Sequence, residues 1–220
     1  MNKNIIHDIR IELKNISSEE VRIIASRFFK PGEMAKVYGV KSPIVRAIGK
    51  KYLQQVKALT KKEIFAICEA LWKSSYLEES VIACMITESI HKKFEAVDIK
   101  IFESWIKNYV NNWASCDTFC NHTVGDYMMM YPEKTELLKK WAVSSNRWLR
   151  RAAAVSLIVP AKKGLFLPLI IDIATILLAD DDDLVQKGYG WMLKSACQHN
   201  EKNVFDFVML HKSEMPRTAL

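Results

Sequence analysis

The stretch that decides the fold is "WLRRAAAVS", residues 148–156, because two others resemble it: "YLEESVIAC" from Tyr76 and "LVQKGYGWM" from Leu184. Each has the apolar spacing of a helix face. Each also follows a helical segment that closes on an apolar residue or a tryptophan. The starts lie about 72 and about 36 residues apart, which is a period of about 36 with one copy passed over. The position passed over is Asn112, at the head of "NNWASCDTFC", residues 111–120. Two helices per unit at that period is the signature of HEAT-like and other α-solenoid repeats.

The rest of the chain agrees with a helical reading. "EIFAICEALW" puts Ile64, Ile67, Cys68, Leu71 and Trp72 on one stripe, and "VIACMITESI" and "LPLIIDIATILL" have helical length. Breaks fall at "FKPGE", "VKSP", "VPAKKG" and "LADDDD". Seven glycines and six prolines in 220 residues leave little for turn-rich strands. The expected fold is all-α: an α-solenoid of HEAT-like repeats with roughly twelve or thirteen helices. It forms one domain over residues 1–220, with N-terminal helices 1–58 as a cap and repeats over 59–220. A stack of helix pairs curves, and its second helices line the concave side. In this register Glu79, Arg151 and Lys187 are equivalent, with Arg147 and Trp191 one turn away. The concave face is then basic, carrying Arg147, Arg151, Lys187, Trp191 and Lys194, which suits a phosphate backbone and its sugars.

Composition narrows the function. The net charge of +7 and a pI near 9.1 favour a polyanionic partner. No apolar run reaches the roughly 18 residues of a membrane span, and the charged N-terminal segment does not read as a signal peptide. The expected compartment is the cytoplasm. The five cysteines are odd in number, and Cys116, Cys120 and His122 match no common zinc spacing. They read as buried free thiols. The run Asp180–Asp183 reads as a loop and helix cap. Trp72, Trp105, Trp141 and Trp148 read as core, and Arg150 as solvated.

Four pieces carry a family resemblance: "KVYGVKSPIVRAIGKK" (36–51), "NNWASCDTFCNHTVGD" (111–126), "NRWLRRAAAV" (146–155) and "VQKGYGWMLKSA" (185–196). In order and spacing the chain resembles the AlkD-type DNA alkylation repair glycosylases, built from HEAT-like repeats. The resemblance implies excision of cationic N3- and N7-alkylated purines from duplex DNA by hydrolysis, working from the sugar side without flipping the base. It implies that Trp113, Asp117, Arg151 and Trp191 form the catalytic cleft, while the repeat register puts Arg147, Arg151, Lys187 and Lys194 on DNA. No cofactor is expected, the cysteine and histidine spacing calls for no metal, and a solenoid that wraps DNA works as a monomer. The chain departs from the pattern at Ala114, where many relatives carry an acid, and at the flanking Cys116 and Cys120.

The chemistry fits those residue types. Positive charge moves to the sugar as the C1′–N bond breaks, and a carboxylate beneath it stabilises that charge. Indole faces attract cations, and arginine holds phosphate in two bonds. The competing class is a HEAT-type binding protein without chemistry, a DNA-structure binder or a protein scaffold. Asp117 discriminates the two, because a carboxylate in a basic groove opposes phosphate binding unless a reaction uses it.

Overall fold

A computed structural model describes residues 2–29, 33 and 36–220, apart from the side chains of residues 2 and 3. The break expected at residues 29–33 therefore lies largely outside the described residues. Among them the chain is all-α, with one isolated parallel bridge between Lys36 and Tyr76. In order come α1 (Asn2–Asn15), α2 (Glu19–Ser26), α3 (Ser42–Val56), α4 (Lys61–Trp72), α5 (Leu77–Ser89) and α6 (Ile99–Tyr109). They are followed by α7 (Trp113–Thr118), a π-helical segment (Phe119–Val124), α8 (Gly125–Met130) and α9 (Leu137–Ala142). The last are α10 (Arg147–Val155), α11 (Ile158–Ala161), α12 (Leu167–Ile176) and α13 (Asp183–His211), which kinks at Asn200. Residues fall into two compact units: Met1–Phe94 with Asn108–Thr118, and Glu95–Lys107 with Phe119–Leu220.

In the first unit, α3 and α4 pack on α5. Helix α4 starts in a reciprocal cap. The Thr60 hydroxyl accepts from the Glu63 N–H, and the Glu63 carboxylate accepts from the Thr60 N–H at 2.9 Å. Helix α3 seats closely on α5, because a Cβ on Gly49 would stand 2.7 Å from the Met85 sulfur. Two acids in the first turn of α5 hold the unit together. Glu78, 3% exposed, accepts from the backbone N–H groups of Tyr38, Gly39 and Val40 at 3.1, 2.9 and 3.1 Å. Gly39 has φ +88°, and a Cβ there would lie 2.2 Å from the Ser18 carbonyl oxygen, so only glycine fits.

Glu79 is fully buried. It takes the Arg10 guanidinium at 3.0 Å and the Tyr38 hydroxyl at 2.7 Å. Burial and the Glu79 carboxylate together push the Tyr38 phenol well above its usual range. This pairing removes Glu79 from the exposed row in which the repeat register put it.

The second unit pairs α9 with α10 and α12 with α13. Its aromatic centre is Phe102, Trp105, Phe119 and Tyr127. The Phe102 ring meets Phe119 at 5.6 Å and Tyr127 at 5.8 Å, both edge to face. Trp72, Trp105, Trp141 and Trp148 are all buried, as their spacing implies.

Helices α5, α7, α10 and α13 begin at Leu77, Trp113, Arg147 and Asp183. Three of these starts carry a side-chain cap. Asn112 accepts from the Ser115 N–H at 2.8 Å, Asn146 from Trp148 at 2.8 Å, and Asp182 from Leu184 at 2.9 Å. Counting from these starts corrects the repeat register: Val81, Asp117, Arg151 and Lys187 are each the fifth residue of their helix.

Glu78→Gln keeps the shape of the side chain but removes its charge and one acceptor oxygen. Oε1 still accepts from Gly39 and Val40, but the new amide sets a donor against the Tyr38 N–H, and the charge that strengthens all three bonds is gone, so stability is expected to fall by roughly 1–3 kcal/mol. Chemical denaturation checks this, and an unchanged midpoint would show that the 38–40 turn holds without the carboxylate.

Candidate active site

Trp113 and Asp117 lie one turn apart on α7, hence on one face. Helix α7 is pinned by small polar side chains. The Asn112 amide donates to Ser115 Oγ at 2.9 Å, and Ser115 Oγ bonds Ser80 Oγ on α5 at 2.9 Å. Glu33 accepts from the Trp113 backbone N–H at 3.3 Å. The indole N–H donates to the Phe28 carbonyl at 3.2 Å, and the ring sits 6.4 Å from Phe29, tilted by 41°. These contacts fix the orientation of a ring that stays half-buried. Asp117 is 9% exposed. Neighbouring Cys116 is fully buried. All five cysteines are free, and burial pushes the Cys68 thiol up to about 12, which keeps it protonated and unreactive. The π-helical segment follows α7 directly in sequence.

The second unit holds the remaining site residues. Arg151 is 5% exposed and donates to the Leu184 carbonyl. Its stem lies against Gly188, where an added Cβ would be in ordinary contact with Arg151 Cγ at 3.5 Å. Arg147 donates to Asp182 at 2.9 Å and lies 5.1 Å over the Trp148 ring. Lys187 pairs with Asp183 at 3.3 Å. On α13, Lys187, Trp191 and Lys194 follow at helical spacing and are all exposed. Trp191 is 39% exposed, unusual for so large an apolar ring. Beside it, Gly190 admits the backbone of Ala219, whose carbonyl oxygen would be 2.5 Å from a Cβ there.

The structure thus places Trp113 with Asp117 on one helix face, and Lys187 with Trp191 and Lys194 on another. Arg147 and Arg151 share α10 in different states, one tied to a carboxylate at the surface and one buried. Arg150, expected to be solvated, instead pairs with Asp180 at 2.6 Å and donates to the Ser144 and Ser145 carbonyls at 3.0 and 3.2 Å. The acidic run does cap α13 through Asp182, as expected. It also neutralises three of the cations in this unit, which the sequence reading missed. The available signal was the charge match itself: acids at 180, 182 and 183 against Arg150, Arg147 and Lys187.

Comparison with known proteins agrees with the fold. A solved structure described as a predicted DNA alkylation repair enzyme from Enterococcus faecalis is similar over 92% of each chain, with a TM-score of 0.81 at 17% identity. No curated protein matches the chain. The family model of the DNA alkylation repair enzymes matches residues 9–220, nearly the whole sequence, so the chain belongs to the DNA alkylation repair enzyme family.

Proposed function

We propose that the chain is a monofunctional DNA N-glycosylase that hydrolyses the bond between deoxyribose and a cationic N3- or N7-alkylated purine in duplex DNA, from the sugar side and without base flipping. The observation that carries this reading is a carboxylate almost out of water, Asp117, one turn from a half-open indole, Trp113. A purine alkylated on N3 or N7 is already positively charged and leaves without strong acid assistance. As the C1′–N bond breaks, its electron pair goes to the purine and neutralises it, and positive charge develops on the sugar. Asp117 stabilises that charge in a low-dielectric setting, where a nearby anion counts most. It also takes the proton of the water that adds to C1′. Trp113 and Trp191 offer π faces to the cationic sugar and base. Lys187 and Lys194 flank Trp191 along α13 and meet phosphates. Arg147 and Arg151 complete the cationic set on α10. Lys187 exchanges Asp183 for phosphate at small cost, because the pair is exposed.

The first test is incubation with duplex DNA carrying N7-methylguanine and N3-methyladenine, with Asp117→Asn as control. Wild-type protein is expected to release free modified base, and the variant to do so at least about 100-fold more slowly while binding DNA as well or better. Duplex binding without release by the wild type would favour a DNA binder without chemistry. Arg151→Ala is expected to lower the slope of log affinity against log salt by about 0.9, the loss of one phosphate contact. An unchanged slope with a lower melting temperature would instead assign Arg151 to holding Leu184.

A further inference from the structure

We infer that the first unit carries a phosphate-backbone site of its own on the exposed face of α3, formed by Lys41, Arg46 and Lys50. Arg46 and Lys50 line a surface groove with Ser42, Pro43 and Ala47. All three cations are exposed, and none has a carboxylate partner among the described residues. Other cations are matched: Lys51 on the same helix pairs with Glu12, Lys73 with Glu69, and Arg147 and Arg150 with the acidic run. Helix α3 itself contains no acidic residue.

The site is rigidly presented. The opposite face of α3, with Val45, Ile48, Tyr52 and Val56, is buried, and Gly49 brings the helix against Met85. The chain leading into α3 is held by the three N–H bonds to Glu78. Arg46 and Lys50 are one turn apart, about 6 Å along the axis. Little side-chain ordering beyond their own remains to oppose binding.

The chemistry of the groove selects the occupant. Its lining offers no large apolar or aromatic anchor of the kind that dominates protein interfaces. Unpaired, solvated cations instead suit a polyanion, whose condensed counterions they release. The choice of duplex DNA rests on the glycosylase reading. In that reading Asp117, in this same unit, opposes phosphates, and local cations offset the repulsion.

The test measures affinity for an undamaged duplex across a salt series, for wild type and for Arg46→Ala with Lys50→Ala. Both positions are exposed, and a thermal melt verifies folding. The slope is expected to fall by about 1.8, with affinity at about 0.15 M salt weaker by roughly tenfold or more. Lys92→Ala with Lys93→Ala removes the same charge from exposed positions in the same unit and is expected to change the slope less. An unchanged slope, or equal losses in both variants, overturns the site. Loss of binding to anionic phospholipid vesicles alone, with duplex binding intact, overturns the duplex as occupant. The duplex carries no lesion, so the slope is read independently of base excision: failure to release base from the alkylated duplex would sink the glycosylase reading and leave this slope standing as its own result.

Discussion

The first N–H groups of a helix have no partner within it, and something must accept from them. In this chain the solution to that constraint sets where the candidate site side chains point. Asn112, Asn146 and Asp182 each close the first turn of a helix with a side-chain oxygen. Helix α5 uses a different device: the Lys36 carbonyl accepts from the Leu77 N–H at 2.8 Å, in the isolated bridge at Tyr76. Once the first residue is fixed, 3.6 residues per turn fix the rest. Asp117, Arg151 and Lys187 hold one position counted from their caps, although one is an acid and two are bases. A repeated scaffold thus offers equivalent positions, and chemistry comes from what occupies them.

Much of this was legible in the sequence. Apolar spacing identifies an all-helical chain, and the recurrence near every 36 residues falls at the starts of α5, α7, α10 and α13. The sorting of tryptophans also follows: four are buried, while Trp113 and Trp191 are not. What the pattern misjudged was phase. Tyr76 precedes α5, whereas Trp148 and Leu184 are the second residues of α10 and α13. Matching them as equivalents shifted the row by two and drew in Glu79. The physical reason is that a large apolar side chain settles wherever the preceding helix leaves space, before or after the cap. The cap, not the apolar residue, sets the rotation.

Ion pairing was the other part hidden from the sequence. Arg150 and Asp180 are 30 positions apart, and Arg10 and Glu79 are 69 apart. No local period connects such pairs; only tertiary packing brings α10 to the turn before α13, and α1 to the first turn of α5. Formal charge is therefore a poor guide to where a polyanion docks. The +7 of the chain is distributed unevenly once acids are matched to their partners. In the second unit, Asp180, Asp182 and Asp183 absorb much of the cationic character of α10 and the start of α13. In the first, Arg46 and Lys50 of α3 stay unmatched while Lys51 pairs with Glu12.

The close approach of Ala219 to Gly190 has a practical side. The backbone of Ala219 comes against α13 at Gly190, one residue before the exposed Trp191, and glycine is what lets it come so near. An affinity tag fused after residue 220 would start one residue from that contact with α13. Its histidines or acidic linkers would sit where a charged ligand is to be measured. Preparations for binding work are better tagged at the other end, or cleaved, so that the surface around Trp191 reports on the protein alone.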